Sequence, residues 1–230
     1  MIVLGFDTAT PATAVGLIDD AGNVLERRHD PGEGERPGHV AQLLGLAHEL
    51  LDEAGLTFAD VERIAVGLGP GSFTGLRIGV STARALAQAA AAELVGVSTL
   101  EALALEAQPL APADAGILAV VDARRAEVFA AGWRAGERLL GPVALKPTAL
   151  TDLLREGPRP WLAVGDGALR FRADLEGAGC LVAEDRSARH GVRARAICRL
   201  SLRASQGTER DLIVPDYLRR PDAVPKPTTP

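Results

Sequence analysis

The stretch GLGPGSFTGLRIG, residues 67 to 79, raises the first chemical question. Glycine-rich loops that open a helix hold phosphates when their backbone N–H groups converge on an anion. A Walker-type loop needs GxxxxGK[ST], with a lysine reaching the terminal phosphates. Here Gly69 to Leu76 reads GPGSFTGL, with no lysine. A dinucleotide fingerprint needs GxGxxG; Gly67 and Gly69 fit, but Ser72 stands at the third glycine and Pro70 sits inside the loop. Capping of the following helix by Ser72 or Thr74 is the commoner use of such residues. That helix carries Gly75, Gly79, Ala83 and Ala87, a stripe with almost no side chain. A helical glycine costs about 1 kcal/mol relative to alanine, so two of them imply close approach of another backbone. The other backbone is either the protein's own sheet or a helix of a second chain, and the sequence alone leans to the first.

The remaining chemistry-bearing residues are sparse. His29 falls on a strand, His39 and His48 stand more than two turns apart on one helix, and His190 lies far along the chain. None of these pairs makes a local metal site. Cys180 and Cys198 have neither metal nor redox spacing and read as ordinary thiols. From Arg186 to Arg203 there are six arginines and no acidic residue, with Arg195, Arg199 and Arg203 one turn apart. Such a stripe is a solvated helix face or, less commonly, a contact for nucleic-acid phosphate.

These residues need a scaffold. Residues 2–6 read as a buried strand ending at Asp7, 13–18 as a second strand and, after the DDAG turn, 23–29 as a third. Val40, Leu43, Leu44, Ala47, Leu50 and Leu51 keep helical spacing from Gly38 to Ala54. Residues 64–68 form a strand, the glycine loop leads into a helix over 74–92, and 93–97 and 99–107 form a further strand and helix. ILAVVD (117–122) then echoes IVLGFD (2–7), and a second hairpin follows it, so two lobes share one plan. A helix over 149–156, a strand over 161–165 and a helix over 188–205 complete the second half. The last ten residues, PDAVPKPTTP, are too proline-rich to pack and read as a mobile tail.

With 230 residues, 47% of them hydrophobic and 24% charged, the chain can bury an ample core. A net charge of -5 and 3% aromatics disfavour a nucleic-acid or anionic-membrane binder. The start MIVLGFD has no basic leader and no apolar run reaches bilayer length, so a cytoplasmic protein is expected.

Together, FDTAT, GLGPGSFTGLRIG, VGVSTLEAL, VVDARRAEV, VGDGA and YLRRPDA resemble the bacterial TsaB (YeaZ) family, from Ile2 to Ala223. The resemblance implies an α/β, actin-like and sugar-kinase-like (ASKHA) fold with two lobes of duplicated topology. The lobes would span residues 1–107 and 108–207, followed by a C-terminal segment and tail over 208–230. It also implies a non-catalytic dimerisation subunit without a cofactor. Its partner would be TsaD, the paralogue that moves a threonylcarbamoyl group onto the adenosine beside the tRNA anticodon. TsaD carries a pair of metal-binding histidines whose positions fall here on Thr99 and Leu103. Leucine has no donor atom and a neutral hydroxyl is a poor ligand for a transition metal.

In the actin-like fold, Asp7 and Asp122 match the aspartates near the metal–phosphate group, and Gly165 and Gly167 match the turn that receives the nucleoside. DTATPAT lacks a phosphate-cradling glycine, and ARR (123–125) brings long cations, so nucleotide binding reads as weak or vestigial. The family's partner surface maps to Leu43, Leu44, Leu50 and Leu51 of the first helix and to Gly75, Gly79 and Ala83 of the second. TsaD, or a second copy of the chain in its absence, would dock there, and the TsaE ATPase is a further possible partner. The competing functions are an ATP-using phosphotransferase or ATPase of the same fold and, with no histidine pair, a much less supported metallopeptidase.

Overall fold

The computed structural model describes residues 1–32, 34–185 and 187–219. Two five-stranded sheets repeat one order. In the first, β1 (Val3–Asp7) lies between β2 (Thr13–Ile18) and β4 (Arg63–Gly67), with β3 (Val24–His29) and β5 (Glu93–Val97) at the edges. In the second, β6 (Gly116–Arg124) lies between β7 (Glu127–Arg134) and β9 (Trp161–Val164), with β8 (Glu137–Leu145) and β10 (Leu181–Val182) outside. The antiparallel hairpin and parallel crossover are the same in each, so the echo between IVLGFD and ILAVVD is a repeat of topology.

Helices α1 (His39–Glu53) and α2 (Phe73–Ala89) cover the outer face of the first sheet. Helices α4 (Pro147–Glu156), α5 (Asp166–Arg170) and α6 (Arg172–Gly177) pack on the second. Helices α3 (Thr99–Ala107) and α7 (Ala194–Ser201) fill the space between the sheets. Their side chains Leu100, Leu103, Ile197 and Cys198 share one core with Val3 and Ala65 of the first sheet and Ala119 and Val121 of the second. The boundary after residue 107 therefore separates the sheets but not the core. Helix α7, expected in the second lobe, packs directly on β1 and β2.

One helix is shorter than its periodicity predicts. The helix expected over 188–205 is a short turn, Ala188–His190, a break, and then α7. The break has a physical cause. Arg28 reaches across from β3 and donates to the Val192 carbonyl at 2.6 Å, occupying an acceptor that a continuous helix would use internally. Arg28 also occupies the space beside Gly191. The His190 ring is held by the Gly165 carbonyl at 3.0 Å and the Ala183 carbonyl at 3.1 Å. No described helix is long and apolar enough to cross a membrane. The sequence's tail, 221–230, lies outside the described residues.

Candidate functional site

Asp7 ends β1 and is 1% exposed. Its Oδ1 accepts the Ala9 N–H at 2.8 Å, and its Oδ2 accepts the Thr99 hydroxyl proton at 2.7 Å. Burial pushes the carboxyl above its ordinary value of 3.8, and the bonds from Thr99 and Ala9 only partly offset it. The folded carboxyl thus binds its proton before the unfolded one does. Its stabilising share is complete below 3.8 and is lost as pH rises through the folded value. In urea unfolding, wild type should gain stability relative to Asp7→Asn as pH falls from neutrality towards that range. A change of the opposite sign would mean that Asp7 is held ionised, as a metal or phosphate role requires.

Thr99 and Leu103, which stand where the paralogue's histidines are expected, lie one turn apart on α3 and are 0% and 1% exposed. Leu103 belongs to the core between the sheets. Thr99 turns its hydroxyl to Asp7. This donor set does not fit a transition metal. No three His, Cys, Asp or Glu side chains converge as a metal site among the described residues. Burial raises the thiols of Cys180 and Cys198, to about 11 and about 12, which leaves both unreactive at neutral pH.

Asp122 stands at the corresponding place at the end of β6. Its carboxylate pairs with Arg170 at 2.7 Å and Arg124 at 3.4 Å. The Asp122 N–H donates to Asp166 at 3.0 Å, and burial, reinforced by the charge of Asp122, raises the Asp166 carboxyl. Gly165 sits at φ +107° before α5. A Cβ on Gly167 would stand 2.8 Å from the Val121 carbonyl carbon and 2.9 Å from the Asp122 nitrogen. Both glycines therefore serve the approach of α5 to β6, a structural use, and their open side is filled by the chain's own backbone. Between the lobes a cavity of about 400 Å³ remains, lined by Thr10, Ser72, Phe73, Asp122, Arg124 and Tyr217 among others.

The glycine stripe does not face outward. Gly75, Gly79 and Ala83 are all buried. A Cβ on Gly75 would overlap the Thr8 carbonyl oxygen, and one on Gly79 would overlap the Thr8 hydroxyl. The Thr8 hydroxyl in turn donates to the Gly75 carbonyl at 2.8 Å. The expected partner seam is thus a seam with the chain's own segment 7–9, and the free backbone of the opening motif serves that contact. Ser72 caps α2, accepting the Gly75 N–H at 3.3 Å. Leu43, Leu50 and Leu51 are likewise turned inward, packed with Phe6 and Val15. Of the four leucines expected at the interface, Leu44 is the exposed one, at 49%.

Beside Leu44 runs an open groove between α1 and α2, lined by Val40, Leu44, Arg77, Ile78, Ser81 and Thr82. Val40 is 78% exposed there. The sequence did carry a signal for this face. The apolar stripe of α1, from Val40 and Leu44 round to Leu43 and Leu51, is wider than one sheet can cover. The C-terminal segment beside α2 carried no such signal. Arg84 holds the Asp211 and Ile213 carbonyls at 3.0 and 2.8 Å, and the Asp216 N–H donates to the Leu68 carbonyl at 2.7 Å. The Tyr217 ring lies 4.9 Å from Phe73, and Arg219 pairs with Glu127 of β7 at 2.9 Å.

The arginine stripe of α7 is answered within the chain. Arg193 pairs with Glu26, Arg195 with Glu106 at 2.6 Å, Arg199 with Glu106 at 3.7 Å and Arg203 with Glu101 at 3.1 Å. A tRNA phosphate at this face would compete with acids already in place. Arg186, at the head of the stripe, lies outside the described residues.

Comparison with known proteins fits this geometry. The model of the TsaD family, tRNA N6-adenosine threonylcarbamoyltransferase, matches residues 33–168. The chain is 33% identical to the tRNA threonylcarbamoyladenosine biosynthesis protein TsaB of Escherichia coli, over 73% of this chain and 72% of that protein. It is 28% identical to the Bacillus subtilis protein of the same name, over 98% and 97%. YeaZ from Pseudomonas aeruginosa superposes with a TM-score of 0.74 at 28% identity, covering 94% of this chain and 99% of that one. A ROK hexokinase from Thermus thermophilus shares the fold at a TM-score of 0.51 and 16% identity, over 88% and 100%. With two lobes of duplicated actin-like topology and these relatives along most of its length, the chain belongs to the TsaB (YeaZ) family.

Proposed function

We propose that this chain is a non-catalytic subunit of tRNA threonylcarbamoyladenosine biosynthesis in the cytoplasm. It docks a TsaD-like paralogue and supports its transfer of threonylcarbamoyl to the adenosine beside the anticodon. The observation that carries the reading is the pairing of Thr99 with Asp7. Within a region matched by the transferase family, the position expected to hold an imidazole bears a buried hydroxyl that caps a carboxylate. Leu103 at the second position adds no donor.

The face left for docking is the outer side of α1 and α2, where Val40, Leu44 and Ile78 offer apolar area beside the Arg77 guanidinium. Without the paralogue, the same face would close an isologous homodimer. The TsaE ATPase would join the assembled pair. Mixing the chain with the TsaD-like paralogue and following mass by light scattering tests this. A complex heavier than either component is expected, and two unchanged masses would refute it.

The cavity between the lobes supports the second reading, an ATP-using enzyme of the actin-like fold. Against it stand the Asp122 carboxylate, already paired with Arg170 and Arg124, and glycines whose open sides are filled. Calorimetric titration with ATP and magnesium is expected to give no heat of tight binding. Micromolar binding by the isolated chain would favour the enzyme.

A further inference from the structure

Thr99 makes more contacts than the capping of Asp7 requires. It is 0% exposed. Its Oγ1 donates to Asp7 at 2.7 Å and accepts the Gly69 N–H at 3.1 Å. Its own N–H donates to the Gly69 carbonyl at 2.9 Å. Both backbone polar groups of Gly69, a residue at φ +99°, therefore end on one side chain and its backbone. On the other side of the loop, the Ser72 N–H donates to the Ala9 carbonyl at 2.7 Å, and the Ala9 N–H returns to Asp7. The bonds close a circuit from Thr99 to Asp7, Ala9, Ser72 and back through the loop to Gly69.

We infer that Thr99 is a positioning residue: it fixes the glycine loop, and with it the N-terminal end of α2, in the orientation that the docking face requires. The inference rests on the docking reading above. The chemistry suits a hydroxyl, whose single oxygen donates to a carboxylate and accepts from an N–H at once. Valine has the same shape and does neither. In Thr99→Val the Asp7 carboxylate and the Gly69 N–H each lose a partner inside the protein, where water cannot replace it. The loop then gains freedom at the residues that launch α2, and Arg77 and Ile78 lie one turn beyond them.

The test uses the full chain as wild type, Thr99→Val and Thr99→Ser, with Leu44→Arg as a control for docking. Amide hydrogen exchange reads the loop, and calorimetry reads affinity for the TsaD-like paralogue. In Thr99→Val, exchange at Gly69 and Ser72 should rise about tenfold or more while β6 to β8 hold. Affinity should fall about tenfold, and Thr99→Ser should restore both. Unchanged loop exchange in Thr99→Val would overturn the inference. So would a loosened loop with unchanged affinity, provided Leu44→Arg still breaks the complex. If neither Leu44→Arg nor Thr99→Val alters association, the docking reading falls and the positioning role falls with it. Should Thr99→Val not fold, Thr99→Ala carries the same test. It removes the donor and the acceptor together without a branched side chain; exchange and affinity at wild-type values would again overturn the inference.

Discussion

Gly79→Leu is expected to cost about 4 kcal/mol of folding stability and to leave little folded protein at 37 °C. Gly79 is fully enclosed, and the first carbon added to it would already overlap the Thr8 hydroxyl. The next three carbons must enter a region occupied by Val66 and segment 7–9. The gain from replacing a helical glycine, about 1 kcal/mol, does not offset that. Gly75→Ala adds one carbon in place of four but still costs about 2 kcal/mol, because that Cβ meets the Thr8 carbonyl, which is backbone and cannot rotate away. Urea unfolding monitored by circular dichroism measures both. Wild-type stability in Gly79→Leu would mean that the stripe faces outward after all. The consequence for experiment is direct: substitutions in this stripe report on folding, and a lost interaction there says nothing about a partner.

Leu44→Arg is expected to do the reverse, weakening association with the TsaD-like paralogue about 100-fold while leaving thermal stability within about 0.5 kcal/mol. Leu44 is half exposed on the groove between α1 and α2, so the chain alone loses little apolar burial when it is replaced. Docked, the same side chain would contribute about 2 kcal/mol of transferred apolar surface. An arginine in its place must also leave water beside Arg77, which repels it. Size-exclusion mixing and calorimetry decide the matter. Undiminished affinity would move the docking site off this face. The two substitutions together separate the inner side of each helix from its outer side, a distinction that helical spacing draws poorly when apolar residues run round most of α1.

Much of the fold was legible because it rests on local patterns. Strands β1, β2 and β4 read directly from continuous apolar runs, and α1 from the helical spacing of its apolar residues. Even the duplication was visible, since each lobe opens with an apolar run that leads to an aspartate, Asp7 in one and Asp122 in the other. The elements not anticipated are α5, α6 and β10, which are short, and the segment after Thr208 that lies along α2. The three elements are too short for a period to show, and the segment is mostly neither helix nor strand, so it has no period. What holds that segment is a set of side-chain bonds from Arg84 to the carbonyls of residues far along the chain.

The sequence by itself determined the family and the two-lobed plan, and its resemblance led to the expectation that Thr99 and Leu103 stand at the paralogue's metal-binding positions. Those follow from residue types, which no tertiary arrangement can change. Only the tertiary structure decided direction. It turned the glycine stripe inward onto Thr8, gave the α7 arginines their glutamates, and set the Thr99 hydroxyl between Asp7 and Gly69. A period of 3.6 residues specifies that two side chains share a face. Which partner that face meets depends on segments distant in sequence, and their approach is set by packing of the whole core.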